Sequence, residues 1–151
     1  MNTSVRVTAL ALVLFIAAAF AFAQGESLRP AQLIPDELTW TPGPAGRALV
    51  AKVAGDSTKA GMYAIRVKFL PGFRVEPHFH PDDRIVTVLS GTVHMGYGEQ
   101  FDESKMRALP AGSVWTEPAD QPHFAWAKDG EVVLQVIGNG PSSTTPVRPR
   151  Q

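Results

Sequence analysis

Length, composition and charge place the chain in a narrow class. Its 151 residues fit one domain, and 13 glycines with 13 prolines favour many short strands and turns over long helices. Fourteen basic residues balance fourteen acidic ones, so the chain lacks the positive excess that nucleic-acid binding requires. No cysteine is present, which excludes disulfides and a cysteine-linked lipid. We therefore predict an all-β protein with no nucleic-acid partner.

The N-terminal residues have the pattern of a secretory signal peptide. One positive charge, Arg6, precedes an almost wholly apolar run over residues 7–22, and residues 21–23 form a small-x-small cleavage site. A membrane anchor is the alternative, but the run only just reaches the roughly 17 residues that cross a bilayer. We expect residues 1–23 to be removed, and the mature protein to be periplasmic or secreted without membrane attachment.

The segment that follows is rich in proline and glycine. This composition over residues 24–46 excludes a long helix and favours an extended arm that lies over the domain. Residues 47–54 then have strand character and end at a Gly-Asp-Ser turn. In residues 63–70, apolar positions such as Ile65 and Val67 alternate with polar ones, as in a half-buried antiparallel strand.

Strand patterns continue through the rest of the chain. The clearest are residues 85–89, 92–97, 113–116 and 131–137. The first two of these runs are separated only by Ser90-Gly91, which predicts a hairpin. With about eight such strands, the sequence predicts a sandwich or barrel over residues 47–140. A flexible Pro-rich tail is predicted over residues 141–151.

Three of the four histidines are spaced for metal binding. His78 and His80 flank one residue in an extended segment, so their imidazoles project from the same face a few ångströms apart. His123 follows a proline-bounded turn and can supply a third ligand from a distant strand. Neutral imidazoles suit divalent transition metals such as Fe, Mn, Ni and Zn. The pattern predicts a three-histidine site that is open to water or substrate.

The spacing around these histidines resembles two linked motifs. The first is Gly72, five residues, His78, one residue, His80, three residues, Arg84, six residues and Gly91. The second is Gly112, five residues, Pro118, four residues and His123, with Asp120 where glycine is usual and Ala127 where asparagine is frequent. Together the motifs resemble those of the cupin superfamily, over residues 63–137.

The resemblance implies a fold and a set of metal ligands. Cupins form a double-stranded β-helix, or jelly-roll barrel, with the site inside, and the resemblance assigns His78, His80 and His123 to the metal. The position of Arg84 normally holds a ligating glutamate, and a guanidinium has no lone pair to donate. Either the three histidines hold the metal with water or substrate, which we favour, or tight metal binding has been lost.

Four residues are candidates for substrate binding: Arg84, His94, Trp126 and Gln135. Arg84 can form a bidentate pair with a carboxylate. Trp126 closely follows the third histidine, and the polar Gln135 needs a partner within an apolar strand. His94 matches no ligand position but lies on a strand beside the site. The nearby acids Glu76, Asp82 and Asp83 can ligate metal, although capping their turn or pairing with Arg84 is the simpler interpretation.

Two classes of function remain open. The first is a metal-dependent enzyme that acts on a small organic acid or related metabolite, with dioxygenase-like, isomerase and lyase chemistry all compatible. The second is a non-catalytic module that binds a small ligand or a metal in the periplasm. The fold alone does not choose between them, whereas the metal content would. Cupins often pair through sheet edges, so the resemblance also implies a homodimer in which the arm crosses to the neighbour.

Overall fold

The computed structural model describes residues 27–43 and 46–148. The predicted signal peptide, residues 1–23, lies outside the described residues. Within the described part, the chain is built of β-strands and two short 3-10 helices, Pro35–Glu37 and Glu103–Lys105. No helix of this part is long and apolar enough to cross a membrane. The all-β class is confirmed.

The strands form two antiparallel sheets that face each other. The six-stranded sheet has the order β1-β2-β3-β10-β5-β8, and the five-stranded sheet has the order β11-β4-β9-β6-β7. Their bounds are β1 Trp40–Pro42, β2 Ala48–Ala54, β3 Gly61–Phe69, β4 Arg74–Phe79, β5 Arg84–Ser90, β6 Thr92–Tyr97, β7 Arg107–Pro110, β8 Val114–Glu117, β9 His123–Trp126, β10 Val132–Gly140 and β11 Thr145–Pro146. The predicted two-layer barrel is therefore present, with three short strands, β1, β7 and β11, beyond the eight expected.

The core lies between the sheets and follows the period-two rule. On β10, Val132, Leu134 and Val136 are buried, and they pack with Val86 and Val88 of β5. The opposite sheet contributes the following buried side chains to the same cluster: Val93 and Ala125. Each fully buried valine contributes about 1.5–3 kcal/mol relative to an exposed one, so this cluster fixes which face of every strand points inward.

The predicted hairpin of residues 85–89 and 92–97 is wrong. Strand β5 pairs with β10 and β8, whereas β6 pairs with β7 and β9 in the other sheet. The connection at Gly91 therefore crosses between the sheets. Gly91 has a φ of 77°, and a Cβ there would clash with the carbonyl oxygen of Glu131. A tight glycine turn between two β-branched runs has the same appearance in a hairpin and in a crossover.

Both ends of the domain are tied to it by edge strands. The arm contributes β1, which pairs with β2 of the same chain, so that Trp40 lies opposite Ala51. The segment predicted as a flexible tail instead forms β11, which pairs with β4 and places Pro146 opposite His78. The Val147 amide donates to the Pro77 carbonyl at 2.9 Å. Proline is tolerated here because β11 lies at the sheet edge.

Asp120 occupies a backbone position that suits glycine. Its φ is 59°, and the Gln121 amide donates to the Pro118 carbonyl at 3.0 Å, as in a turn whose third residue is left-handed. The Asp120 amide donates to the carbonyl of His80 at 2.7 Å, so this turn also holds the end of the histidine segment. This explains why the corresponding cupin position is usually glycine.

We predict that Asp120→Gly leaves the free energy of unfolding unchanged or raises it slightly, whereas Asp120→Val lowers it by about 1–2 kcal/mol, because a β-branched residue fits the left-handed region poorly. Urea unfolding of both variants measures the difference. Gln121→Val, at the next exposed residue, is the control and should change little. Equal stability of Asp120→Val and wild type would contradict this account.

Candidate metal centre

The three predicted histidines converge on one point of the barrel interior. His78 lies on β4 opposite His123 on β9, and His80 follows β4 directly. Their ring centroids are 4.3 Å apart for His78 and His123, 4.8 Å for His78 and His80, and 5.1 Å for His80 and His123. One potential ligand atom from each lies within 4.8 Å of the others. The strand pairing thus brings together residues that are more than forty positions apart in the sequence.

Backbone carbonyls fix the orientation of each imidazole. The Nδ1 atoms of His78, His80 and His123 lie 2.8, 2.7 and 3.0 Å from the carbonyl oxygens of Glu76, Ser143 and Gln121. A carbonyl oxygen only accepts, so each Nδ1 carries the hydrogen and donates it. Each neutral ring therefore keeps a lone pair on Nε2. This is the usual arrangement behind a metal-binding histidine.

The surroundings keep these histidines neutral. Burial lowers the pKa of all three, and for His80 burial and the neighbouring Arg84 lower the pKa to about 3. Protons therefore compete weakly for the Nε2 lone pairs at neutral pH. The Nε2 of His123 is buried and has no hydrogen-bond partner. A buried atom of this kind calls for a ligand.

Glu117, at the end of β8, is a buried acid of the site that the sequence analysis missed. Only 7% of the residue is exposed, and its carboxylate oxygens lie 3.4 Å from His123 Nε2 and 3.7 Å from His80 Nε2. Trp115 donates its indole hydrogen to Glu117 Oε1 at 3.1 Å. Burial raises the pKa of this carboxyl group, and Arg84 opposes that effect. The sequence did contain a signal for Glu117, because side chains alternate along the strand of residues 114–117. This alternation places Trp115 and Glu117 on the same face.

Arg84 faces the barrel interior and is surrounded by acceptors. Its side chain is 11% exposed, and its Nε lies 3.4 Å from Asp82 Oδ1, so the predicted pairing with Asp82 is confirmed. Its Nη2 donates to the hydroxyl of Ser142, and its Nη1 lies 3.8 Å from Glu117 Oε2. Of the other acids considered, Asp83 accepts the amide hydrogen of Ala119 in the turn, and Glu76 is exposed.

A cavity of about 420 Å³ adjoins these residues. The polar part of its lining consists of the three histidines, Arg84, Glu117, the serines and threonine of residues 142–144, and Ser57, Arg74 and Glu76. Most of the remaining wall is apolar. It includes Val50, Ile65, Val67, Phe69, Val86, Trp115 and Leu134. The cavity therefore suits a molecule with a polar head and an apolar body.

The three other predicted pocket residues do not line this cavity. Trp126 and Gln135 alternate with inward-facing neighbours and so point to the outer faces of their sheets. Gln135 donates to the Ile65 carbonyl at 3.2 Å and accepts from Arg66 at 3.3 Å. His94 is also on the outer face, where its Nε2 lies 2.8 Å from Asp129. Gln135 and His94 therefore have outer-face partners that the sequence could not identify, whereas the buried Nε1 of Trp126 has no hydrogen-bond partner among the described residues.

The residues present fit a divalent transition metal. Three neutral imidazoles offer lone pairs to one point, and one of these nitrogens is buried without a partner. Such a donor set suits Fe, Mn, Ni or Zn without selecting one of them.

Comparison with known proteins gives one family and a consistent fold. A family described as "Domain of unknown function (DUF4437)", of the cupin type, matches residues 37–149. A search of curated proteins found no match.

Several solved structures share the fold. The polyketide cyclase RemF from Streptomyces resistomycificus has a TM-score of 0.68 at 14% identity, covering 82% of this chain and 89% of that one. An RmlC-like cupin from Shewanella frigidimarina has a TM-score of 0.59 at 15% identity, with coverages of 80% and 95%. An oxalate oxidase in complex with the substrate analogue glycolate has a TM-score of 0.54 at 22% identity, with coverages of 71% and 58%. At such identities the likeness establishes the cupin barrel alone.

We predict that His80→Ala weakens metal binding by at least about 100-fold, because removing even an outer-shell partner of a metal ligand typically costs 10- to 100-fold. His94→Ala is the matched control and should retain the metal, since His94 lies on the outer face. The measurement is elemental analysis after dialysis against stoichiometric zinc and then metal-free buffer. Equal metal content in wild type and His80→Ala would rule out the three-histidine site.

Proposed function

Since the chain belongs to the DUF4437 family of cupin-type domains, we propose that it is a metal-dependent enzyme that acts on a small organic acid inside the barrel. One observation carries this proposal. Three neutral histidines present their Nε2 atoms to a single point in the wall of a largely apolar cavity, beside a buried arginine. A cavity with a few convergent polar groups and perturbed pKa values is the usual form of an active site.

Metal binding and substrate binding fall to different residues of the site. His78, His80 and His123 would hold the ion, because their Nε2 atoms carry the free lone pairs. A bound divalent transition metal supplies Lewis-acid, water-activating or dioxygen chemistry. Arg84 lines the same cavity as the histidines, whereas Arg74, which also lines it, pairs with Glu103 and lies over the ring of Phe101.

Arg84 is suited to binding the carboxylate of a substrate. Its Nη2 donates to Ser142, while its buried Nε lies 3.4 Å from Asp82 without a hydrogen bond, so one hydrogen bond and one ion pair orient the guanidinium. Its Nη1 is only loosely paired with Glu117, at 3.8 Å, and so has N–H groups to offer to a ligand. Charge-assisted hydrogen bonds of this kind orient an anion as well as binding it. The oxalate oxidase of the same fold binds glycolate, itself a carboxylate, which supports an acid as the class of substrate.

The apolar wall of the cavity further restricts the class of acid that can bind as substrate. Side chains such as Ile65, Phe69 and Leu134 surround most of the cavity and offer no hydrogen bonds to hydroxyl groups. A sugar acid would lose hydrogen bonds to water without replacing them. The cavity therefore favours a monocarboxylic acid with an aliphatic or aromatic body.

A non-catalytic binding module is the alternative, and turnover separates the two. Protein loaded with Fe²⁺, Mn²⁺ or Zn²⁺ is incubated with a panel of apolar monocarboxylates such as phenylacetate. Oxygen uptake and mass spectrometry then follow conversion, while calorimetry follows binding. Metal-dependent conversion supports the enzyme, and binding without conversion supports the module.

In the same experiment, Arg84→Gln should keep the metal but bind these acids about 10- to 100-fold more weakly, since hydrogen bonds to charged groups contribute about 1.5–3 kcal/mol. Arg66→Gln is the control, because Arg66 lies on the outer face and pairs with Gln135. Arg84→Gln protein that binds every acid as well as wild type would refute the anchoring role of Arg84.

We also propose that the protein is exported and forms a homodimer, on the basis of sequence alone. Cleavage after residue 23 predicts a mature chain that begins at Gln24, which mass spectrometry of protein expressed with its own N-terminus would detect. An uncleaved chain in the membrane fraction would contradict cleavage after residue 23 and release from the membrane. Light scattering over a wide concentration range tests the dimer, and a monomer throughout would exclude it. Since β1 covers the edge of β2 within one chain, that contact does not require a neighbour.

A further inference from the structure

Glu117 is the one acid of the described residues whose carboxylate faces two of the metal-site histidines. Its strand, β8, pairs with β5 in a register that places Glu117 directly opposite Arg84. Its side chain is 9% exposed, although an ionised carboxylate is costly to bury. A buried acid next to candidate metal ligands therefore needs a reason to be there.

The contacts of Glu117 with the histidines bring acceptors together. Its Oε1 lies 3.4 Å from His123 Nε2, and its Oε2 lies 3.7 Å from His80 Nε2. Neither Nε2 carries a hydrogen, because both rings donate through Nδ1 to backbone carbonyls. When Glu117 is ionised, lone pairs of nitrogen and a carboxylate thus face each other with no hydrogen between them. A cation at their centre converts this repulsion into attraction.

The separations also suit a shared ion. Donor atoms bound about 2.1 Å from one ion, at tetrahedral or octahedral angles, are roughly 3.0–3.4 Å apart. The carboxylate of Glu117 lies 3.4 Å from His123 Nε2, at the upper end of this range, and 3.7 Å from His80 Nε2, just beyond it. Glu117 is therefore next to the compact group that the three histidines form, which does not itself include the carboxylate. On the far side, Trp115 donates to Oε1 and Arg84 approaches Oε2, so the carboxylate is held in place from behind.

We propose that Glu117 is the fourth protein ligand of the metal centre. This rests on the proposed metal-binding function. Cupins usually carry the ligating carboxylate at the position of Arg84, whereas here Glu117 would supply it from the neighbouring strand. Arg84, opposite Glu117, would then balance the charge of this carboxylate. With Glu117 ionised, Asp82, Glu117 and Arg84 together carry a net charge of −1. A divalent ion changes it to +1, which leaves the site ready for one monocarboxylate.

Zinc affinity tests the proposal without relying on catalysis. Competition with a chromophoric chelator gives the Kd of wild type, Glu117→Gln and Glu131→Gln. Glu117→Gln keeps the shape of the side chain and should bind zinc at least about 100-fold more weakly. Glu131→Gln is the matched control, since Glu131 is exposed, pairs with Lys68 and does not line the cavity. Its affinity should equal that of wild type.

A second substitution separates ligation from simple charge. Glu117→His carries no negative charge but offers a lone pair, so it should recover at least about 10-fold of the affinity lost in Glu117→Gln. Equal losses in the two variants would reduce Glu117 to an electrostatic role and overturn the proposal. Thermal unfolding of metal-free protein checks the fold, and Glu117→Gln should be no less stable than wild type, because its amide can donate to an Nε2 lone pair.

The outcomes also distinguish this proposal from the proposed function. Wild-type protein that binds no zinc, iron or manganese would contradict the metal-dependent function itself. Wild-type protein that binds zinc as tightly as Glu117→Gln would leave that function in place and would contradict only the fourth ligand.

Discussion

The buried charge of Arg84 is the constraint on which the site depends. An unpaired guanidinium in the interior would cost several kcal/mol even after relaxation, so acceptors must surround it. Asp82 meets that need, and it is itself held by the hydroxyls of Tyr63 and Ser142 at 2.7 and 2.5 Å. Burial raises the pKa of Tyr63 to about 12, so its hydroxyl stays protonated and donates. This cluster also explains why position 138 is glycine, because a Cβ there would lie 2.5 Å from the Tyr63 hydroxyl and 2.6 Å from Asp82.

The same network makes the C-terminal segment part of the site. Ser142 accepts a hydrogen bond from Arg84 and donates one to Asp82, while the next carbonyl, that of Ser143, accepts from His80 Nδ1. A segment that looked like a tail therefore orients both a candidate metal ligand and the candidate anchor. Strand β11 holds it in place by pairing with β4. Removing this segment would remove hydrogen bonds that orient the site but no side chain of the hydrophobic core.

The sequence was sufficient for the parts of the site that depend on local spacing. The alternation of extended chain placed His78 and His80 on one face, and motif spacing linked them to His123. The sequence was not sufficient for the contacts and side-chain directions that depend on which strands pair. Glu117 becomes a neighbour of Arg84 only through the β5–β8 register, and these strands are not consecutive. The direction of Gln135 depended similarly on Leu134 and Val136 facing the core, because an apolar run buried on both sides has no evident inner face.

Charge balance connects the ligand set to the kind of molecule the cavity accepts. Arg84 is the feature that departs most from the cupin pattern, and at first it argues against a metal, because it replaces an acidic ligand with a cation. However, the carboxylates of Asp82 and Glu117 both lie within 4 Å of the guanidinium, and their combined negative charge exceeds its positive charge. With Glu117 ionised, the site is net negative where the three neutral lone pairs converge, which supports the proposed divalent cation. With that cation bound, the remaining positive charge and the apolar wall favour a single carboxylate on an apolar body, and they disfavour a neutral sugar or a dianion.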